Sequence, residues 1–352
     1  MAERLTHTPP LPTTSQELYA QFEKQISNHP LDPFELVTGS GNIPLAEKVG
    51  ELLGKQVHKA GIEFADGERK IKIPENVRRR DVFILQSQAP NPDSKVLELE
   101  HIADATRRAS ADRISAVIPY YAYARQDRKT GSRESVGAAR NAKNAIASGI
   151  GSILTVDLHN EATMSSIDQP WDNVYASPVL LPAIEATGLT DIDIASADVG
   201  GAKRAEPYLD RLDIAKNLAV VYKRRGGPNE SKALFIAGNV EGRDLFIVED
   251  IIDTAGTAVN AADIYKDNGA RSVNMVATHG LFSRKKGQSA VEKIENSAFD
   301  RVIITDSILQ DEKTQREIAE SSKIQVVSIA PILAVAILCN LTGESIGERL
   351  IK

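Results

Sequence analysis

The sequence has very little cysteine and no long apolar run. Its 352 residues include one cysteine, Cys339, so no disulfide can form within the chain and a reducing compartment is expected. No segment reaches the roughly 18 consecutive apolar residues of a membrane span. The first residues also lack the apolar core of a signal peptide. These features predict a cytoplasmic protein that has no contact with a membrane.

An excess of positive charge is also missing. The formal net charge is −6, which argues against broad affinity for nucleic acid, because such affinity needs a basic face. Phosphorylated small molecules are still compatible with this charge, since Lys, Arg and Mg²⁺ act at close range. A composition of 42% hydrophobic and 26% charged residues is typical of a globular protein with ample core. The length allows two domains.

Apolar, β-rich runs alternate with helical patterns from Phe34 onward. The clearest predicted strands are Val82–Leu85, Ile114–Ile118, Ile153–Val156, Ile192–Ala195, Ala219–Val221, Leu245–Val248, Val273–Ala277, Val302–Thr305 and Ile324–Val327. The clearest predicted helices are Ile43–Leu53, Ser94–Ala109, Ala138–Ser148, Ala258–Asp267 and Ala330–Leu341. This alternation predicts an α/β fold with mostly parallel sheets, which bind ligands at the carboxyl ends of their strands. Residues 1–33 form a Pro/Thr-rich extension that is expected to be partly disordered.

The segment FIVEDIIDTAGT carries the strongest functional signal. The predicted strand Leu245–Val248 ends in two adjacent carboxylates, Glu249 and Asp250. Neighbouring side chains of a strand point to opposite faces, so these two can converge only where the strand becomes irregular. At a separation near 4 Å they would repel by roughly 4 kcal/mol at an effective dielectric of about 20. A divalent cation, a sugar diol, or both would offset that repulsion.

A turn of small residues follows the acidic pair and leads into a helix. The turn consists of Asp253, Thr254, Ala255, Gly256 and Thr257. Such a turn at a helix N-terminus offers free backbone N–H groups and the positive end of the helix dipole to a phosphate. The combination suits a sugar phosphate, with its hydroxyls on the acids and its phosphate in the loop. The alternative is an ordinary strand-to-helix turn with surface acids.

Polar segments follow several other predicted strands. Tyrosines and cations surround Arg125, Gln126 and Asp127, where aromatic faces can stack a purine and arginines can bind phosphates, although a solvated basic loop has the same composition. Asp157 and His159 lie two residues apart at a strand end, which is a plausible cation site. Asp198 lies at another strand end and is followed by glycines.

Two further loops have a more ordinary composition. Lys223 and Arg225 belong to a Gly-Pro loop that could close over phosphates as a lid, although most basic loops are solvated surface. Phe64, Asp66 and Glu68 form a turn between weak strand signals, which taken alone indicates a simple hairpin. The remaining histidines suggest no site, because no acidic or histidine cluster surrounds His7, His29 and His58. His101 is expected within a helix, and His279 in a loop after a strand.

Taken together, these segments resemble the ribose-phosphate pyrophosphokinase family, which has the type I phosphoribosyltransferase fold. The likeness runs from about Gly41 to the C-terminus and includes RRASADRISAVIPYYAYARQDR, TVDLH, DNVYASPVL, VEDIIDTAGT and ATHGLFS. A phosphoribosyltransferase would carry only the VEDIIDTAGT element. The chain lacks GxxxxGK[ST], which excludes a P-loop kinase as far as motifs can do so.

The resemblance implies two tandem phosphoribosyltransferase-like domains, each a mostly parallel sheet flanked by helices. The expected limits are 34–178 for the first domain, 179–335 for the second, and 336–352 for a C-terminal segment that packs back on the first. The family transfers pyrophosphate from Mg-ATP to ribose 5-phosphate. It assembles as dimers built into hexamers with shared active sites, so a homo-oligomer is expected.

The resemblance also implies a role for each motif. Phe64, Asp66 and Glu68 match the loop that reaches the adenine of a neighbouring subunit. Arg125, Gln126 and Asp127 match the ATP-binding segment. His159 and Asp198 match the residues that hold Mg²⁺ with the nucleotide and the ribose. Glu249 and Asp250 match the acids on the ribose hydroxyls, and residues 253–257 match the 5-phosphate loop. Lys223 and Arg225 match the lid cations that meet the transferring group.

Several positions depart from the family pattern. They are NEATMSSIDQP after TVDLH, Ala197 in place of a proline, Glu249 in place of an aspartate, Ser135-Val136-Gly137, and Gly226-Gly227. Apart from Glu249, these lie where pyrophosphate positioning, subunit contacts and allosteric binding are expected. An alternative therefore stays open, namely a non-catalytic subunit that associates with active synthetases and regulates them. A phosphoribosyltransferase is a third possibility.

Overall fold

The computed structural model describes residues 34–224, 233–285 and 287–350, and for residues 223, 224, 233 and 234 the backbone alone. The N-terminal extension, with its expected disorder, and Arg225 lie outside the described residues. Across the described part, two parallel sheets are flanked by helices, as the alternation of apolar runs predicts. The α/β fold class is thereby confirmed.

The first sheet has six parallel strands in the order β2-β1-β5-β6-β7-β8. The first eight strands are β1 Phe34–Thr38, β2 Val57–Lys59, β3 Ile62–Glu63, β4 Arg69–Lys70, β5 Asp81–Leu85, β6 Arg113–Ile118, β7 Ser152–Val156 and β8 Trp171–Val174. Strands β3 and β4 form a separate antiparallel hairpin. Every residue of β1 is buried, because helices cover both faces of the sheet, and this explains the continuous apolar runs in the sequence.

The second sheet has seven strands in the order β11-β10-β9-β12-β13-β14-β15. Its strands are β9 Ile192–Ser196, β10 Ala215–Arg224, β11 Ala233–Ala237, β12 Asp244–Ile252, β13 Ser272–Gly280, β14 Arg301–Thr305 and β15 Ile324–Val327. All neighbouring pairs are parallel except β10 and β11, which run antiparallel. Strand β12 was expected to end at Val248, but it continues to Ile252 because β13 pairs with it that far.

Ten helices are described in these ranges, together with a 3₁₀ helix at Glu161–Ser166. They are α1 Ile43–Leu52, α2 Pro92–Arg108, α3 Gly137–Ala147, α4 Ser177–Glu185, α5 Ala202–Arg211, α6 Gly256–Asp267, α7 Ala290–Glu295, α8 Glu312–Glu320, α9 Ala330–Thr342 and α10 Ile346–Leu350. Among the described residues, none of these helices is long and apolar enough to cross a membrane.

One hydrophobic core joins the two sheets. It contains Phe34 and Leu85 from the first sheet and Ile194 and Phe246 from the second, together with helices α1, α4 and α9. Helix α9 is apolar on all sides and buried from Ala330 to Cys339, as expected of a helix enclosed by protein. Helix α9 also packs against α1. The domain limits of 34–178, 179–335 and 336–352 stay a prediction. Helix α9 crosses the expected boundary between residues 335 and 336.

Candidate active site

The carboxyl ends of the two sheets face each other. Arg125, which follows β6, donates to Asp253 after β12, with 2.8 Å between Nη1 and Oδ2. His159, which follows β7, lies with Nδ1 2.5 Å from Oδ2 of Asp250. The side chain of Ser87 after β5 donates to the carbonyl of Ser307 after β14. Ligands of parallel sheets bind at the carboxyl ends of strands, so the cleft between these ends is the candidate site.

The acidic pair lies where strand β12 extends past its neighbour β9. Pairing with β9 stops at Ile247, whereas pairing with β13 continues but skips Asp250. The two carboxylates nevertheless approach one cation, although they are adjacent in a strand whose register with β13 is unbroken. The Nη1 atom of Arg204 lies 3.0 Å from Oε2 of Glu249 and 3.2 Å from Oδ1 of Asp250. Sequence reasoning did not assign Arg204 a role.

The surroundings shift the pKa values of the two acids in opposite directions. Burial raises the pKa of Glu249 to about 7, and the negative charges of Asp250 and Asp198 add to the rise against the opposing charge of Arg204. Burial also acts to raise the pKa of Asp250, but the hydrogen bond from His159 and the charge of Arg204 outweigh it, so that this pKa is lowered. Glu249 therefore exchanges its proton near neutral pH while Asp250 stays ionised.

The turn after β12 has the geometry of an anion-binding loop. Ala255 adopts the left-handed conformation with φ of 59°, and α6 begins at Gly256 without a side-chain cap. Backbone N–H groups at an uncapped helix start are free to donate to an anion. All five residues of the loop 253–257 line a cavity of about 310 Å³, which Arg125, Glu249 and Asp250 also border. Lys293 on α7 donates to the carbonyl of Thr254 at 3.0 Å and thereby supports the loop.

A second cavity of about 320 Å³ adjoins the first. Asp127, Arg128 and Asn160 line it on the side of the first sheet. The Asn160 side chain donates to Asp127 and also accepts from the backbone N–H of Ala162 at 3.0 Å. Asn160 therefore holds Asp127 against the start of the 3₁₀ helix. Sequence reasoning did not identify Asn160, because it lies in the segment that departs from the family pattern.

Four residues border both cavities, namely His159, Asp198, Glu249 and Asp250. Three different strand ends supply them, after β7, after β9 and within β12. The sequence-predicted residues of the two halves thus meet in one cleft. Gln126 is exposed, and it borders neither cavity. Its backbone carbonyl accepts a hydrogen bond from the N–H of Ala138.

The expected cation site of Asp157 with His159 is wrong. Asp157 has a φ of 40°, which breaks the strand alternation, and its carboxylate accepts hydrogen bonds from Thr278 and from the backbone N–H of Ala176. Burial raises the pKa of Asp157 to about 6. His159 turns the other way, toward Asp250. The two side chains therefore face different partners and share no ligand position.

The residues present suit a magnesium ion that is bound mainly by a nucleotide. They do not form a complete set of protein ligands for a metal ion. Among residues 34–224, 233–285 and 287–350, no group of three or more His, Cys, Asp or Glu side chains is arranged to hold a metal ion. His159 and Asp198 border the same cavities. Mg²⁺ commonly takes one or two protein ligands and completes its shell with substrate phosphates and water. The Asp198 carboxylate is exposed, and its Oδ1 atom accepts from the N–H of Gly201 at 3.0 Å.

The hairpin of β3 and β4 lies outside this cleft. Phe64, Asp66 and Glu68 form its exposed tip, where the N–H of Phe64 donates to the carbonyl of Glu68 at 2.8 Å. Phe64 keeps 45% of its surface exposed. None of the three borders the two cavities. Their role toward a neighbouring subunit stays a prediction.

Of the two predicted lid cations, only Lys223 lies within the described residues. The backbone of Lys223 belongs to β10, where it pairs with Leu234 of β11. Arg225 is the first residue after β10 and lies outside the described residues. The catalytic role of both stays a prediction.

Comparison with known proteins shows the family. The model for the N-terminal domain of ribose phosphate pyrophosphokinase matches residues 34–149, and the model for the phosphoribosyl synthetase-associated domain matches residues 195–350. A ribose-phosphate pyrophosphokinase of Vibrio parahaemolyticus is 40% identical over 316 residues, which is 89% of this chain and 98% of that protein. One of Chromobacterium violaceum is 42% identical over 305 residues, or 86% and 90% of the two chains.

A solved structure agrees with these matches. The crystal structure of phosphoribosylpyrophosphate synthetase from Mycobacterium smegmatis superposes with a TM-score of 0.81 at 30% identity, covering 89% of this chain and all of that one. The resemblance that the motifs predict is thus confirmed, as is the expected pair of phosphoribosyltransferase-like domains. The chain belongs to the ribose-phosphate pyrophosphokinase family.

Proposed function

We propose that this chain is a ribose-phosphate diphosphokinase, which makes phosphoribosyl pyrophosphate for nucleotide biosynthesis. The C1 hydroxyl oxygen of ribose 5-phosphate forms a bond to the β-phosphorus of ATP and loses its proton. The bond from that phosphorus to the oxygen bridging to the α-phosphate breaks, and AMP leaves with that oxygen. The observation that supports this most is that an anion-binding loop, an acidic pair and the nucleotide-side residues border one cleft.

Ribose 5-phosphate would bind on the second sheet. The backbone N–H groups of the loop 253–257 and the N-terminus of α6 would hold its phosphate. Glu249 and Asp250 would accept hydrogen bonds from its ring hydroxyls, with Asp198 beside them. The longer side chain of Glu249 keeps the carboxyl group of the aspartate that the family usually has there.

ATP would bind on the first sheet, next to His159. Arg125, Gln126 and Asp127 would hold the nucleotide, and Asn160 keeps Asp127 in place. In the proposed assembly, a homo-oligomer built from dimers, Phe64, Asp66 and Glu68 of a neighbouring subunit would complete the adenine site. The exposed hairpin tip supports this part of the proposal, because it leaves an aromatic ring free to stack.

His159 and Asp198 would hold Mg²⁺, whose positive charge offsets the negative charge of the triphosphate when it is bound. Lys223 and Arg225 would neutralise the transferring group. Transfer of this kind depends on positioning and charge neutralisation more than on covalent participation by the protein. Both substrates are phosphorylated metabolites, and the proposal therefore places the protein in the cytoplasm.

One assay separates this proposal from its alternatives. The pure protein is incubated with Mg-ATP and ribose 5-phosphate, and AMP and phosphoribosyl pyrophosphate are measured. Equal amounts of both products support the proposal, and Asp250→Asn should abolish them. A protein that has no turnover but changes the rate of an active synthetase would instead be a regulatory subunit. The description of the second family model as a synthetase-associated domain is one argument for this alternative. Consumption of phosphoribosyl pyrophosphate with a nucleobase would indicate a phosphoribosyltransferase.

A further inference from the structure

Two neighbouring residues near the end of β13, Thr278 and His279, lie where the two sheets meet. They belong to the ATHGLFS segment, to which sequence reasoning assigned no role. The expectation that His279 lies in a loop is wrong, since it lies within β13 and only 2% of its surface is exposed. A buried histidine inside a strand needs partners for both ring nitrogens.

The His279 ring connects three segments. Its Nε2 atom lies 3.0 Å from the carbonyl oxygen of Val156 at the end of β7, and its Nδ1 atom lies 2.9 Å from Oγ of Ser307. The ring also packs edge-on against Tyr120, with 5.1 Å between ring centroids. A carbonyl can only accept, so Nε2 carries the hydrogen and Nδ1 accepts from the Ser307 hydroxyl. Burial lowers the pKa of His279 to about 4, which keeps the ring neutral.

Thr278 makes the adjacent connection between the sheets. Its hydroxyl donates to the carboxylate of Asp157, the residue that follows Val156. Two consecutive residues of β13 thus hold two consecutive residues at the end of β7. Because the backbone turns sharply at Asp157, its position determines where His159 emerges two residues later.

The same two residues lie beside the acidic pair. Strand β13 pairs with β12 at Glu249 and again at Ile251, which is opposite His279, so Asp250 lies between these two pairings. His159 follows two residues after Asp157, which Thr278 holds. Asp250 lies between the two residues of β12 that pair with Ala277 and His279. Their 2.5 Å contact spans 91 residues of sequence.

We propose that His279, assisted by Thr278, is a positioning residue that sets the distance between His159 and Asp250 and so aligns the two substrates for transfer. The inference rests on the proposed function. ATP would bind mainly on the first sheet and ribose 5-phosphate on the second, so either substrate alone can bind when the connection is lost. Transfer requires both sheets in register, because small errors in the position of reacting groups are costly.

The test compares His279→Leu with His279→Gln. The leucine removes both polar contacts, and kcat should fall about 10- to 100-fold, since a misplacement near 1 Å can cost roughly 10² in rate. The dissociation constant of ribose 5-phosphate, measured alone by calorimetry, should change less than about threefold, or about 0.7 kcal/mol. The glutamine amide can donate to the Val156 carbonyl at a similar reach, and it should restore kcat to within about fivefold of the wild type, or about 1 kcal/mol.

Two further variants make the comparison specific. Lys48→Met removes an ion pair with Asp306, 2.7 Å between Nζ and Oδ2, which also joins the two halves of the molecule but involves no residue bonded to Thr278 or His279, and its kcat should stay near that of the wild type. Thr278→Val removes only the bond to Asp157 and should give an intermediate loss of kcat. If His279→Leu loses stability but keeps its kcat, or if leucine and glutamine reduce kcat equally, the positioning role is refuted.

Crystal structures of the two His279 variants give a measurement that needs no activity. The 2.5 Å contact between His159 and Asp250 should persist in His279→Gln and open beyond the hydrogen-bonding range of about 3.5 Å in His279→Leu. An unchanged contact in the leucine variant would overturn the inference whatever the enzyme does. A wild-type protein that forms no AMP would overturn the proposed function, whereas the crystallographic comparison would still decide the inference.

Discussion

The carboxyl group of Glu249 should make the stability of the ligand-free protein fall as pH rises through neutrality. Its side chain is only 17% exposed, and burial, with help from Asp250 and Asp198, raises its pKa to about 7 from an ordinary value of 4.5. A carboxyl whose pKa is raised by folding binds its proton more tightly in the native state. The associated stability is therefore fully present below pH 4.5 and is lost as pH rises through about 7.

The size of this effect follows from the pKa difference. The native value lies about 2.5 above the ordinary one, and each pKa unit corresponds to about 1.4 kcal/mol, so the ionised carboxylate costs the native state about 3 kcal/mol. Glu249→Gln carries no charge at any pH. Relative to this variant, the wild type should lose about 3 kcal/mol of unfolding free energy between pH 4.5 and pH 8.5.

Urea unfolding followed by circular dichroism, in buffer without substrate or divalent cations, measures this difference. The slope of free energy against urea should be the same for both proteins, so that midpoints can be compared. Glu51→Gln makes the same change at an exposed position on α1, and its curve should run parallel to that of the wild type. A difference between wild type and Glu249→Gln that stays constant across this pH range would refute the proposed environment of Glu249.

Three further perturbations test other parts of the site. Lys223→Ala or Arg225→Ala should lower the rate of AMP formation about 10³-fold, or roughly 4 kcal/mol, and unaltered turnover would dismiss the lid role. Lys293→Met removes the bond to the Thr254 carbonyl and should raise KM for ribose 5-phosphate about tenfold, whereas an unchanged KM would show that the loop needs no such support. Ala255→Gly relieves a left-handed alanine and should raise the urea-unfolding free energy by about 1 kcal/mol, and a decrease would contradict that interpretation.

The central strands and the long helices could be predicted because their pattern is local. Strands buried on both faces are apolar along their length, so a run such as Leu245–Val248 is visible without knowledge of its neighbours. The edge strand Trp171–Val174 was missed, since half of its residues are polar and it pairs on one side only. Pairing partners, which determine whether such a segment becomes a strand, are not encoded in its own composition.

The position of the site was predictable for a topological reason. The carboxyl ends of parallel strands lie on one edge of a sheet, so polar residues after several strands must collect there. This brought His159, Asp198 and Asp250 together without any knowledge of contacts. The direction of each side chain was not predictable in the same way. Asp157 and His159 separate because of a positive φ at Asp157, a conformation that is uncommon outside glycine and that the local sequence does not specify.

The cation beside the acidic pair, Arg204, could not be predicted from the sequence. Adjacent buried carboxylates require a positive charge nearby. The sequence predicts this requirement, but it does not show which group supplies the charge. The guanidinium of Arg204 supplies it, at 3.0 Å from Glu249 and 3.2 Å from Asp250. This internal cation offsets the repulsion between the two carboxylates. In the proposed function, their remaining lone pairs would accept hydrogen bonds from ribose hydroxyl groups. In the proposed function, a magnesium ion bound to the nucleotide would be held by His159 and Asp198, so that the two positive charges would act on different parts of one cleft.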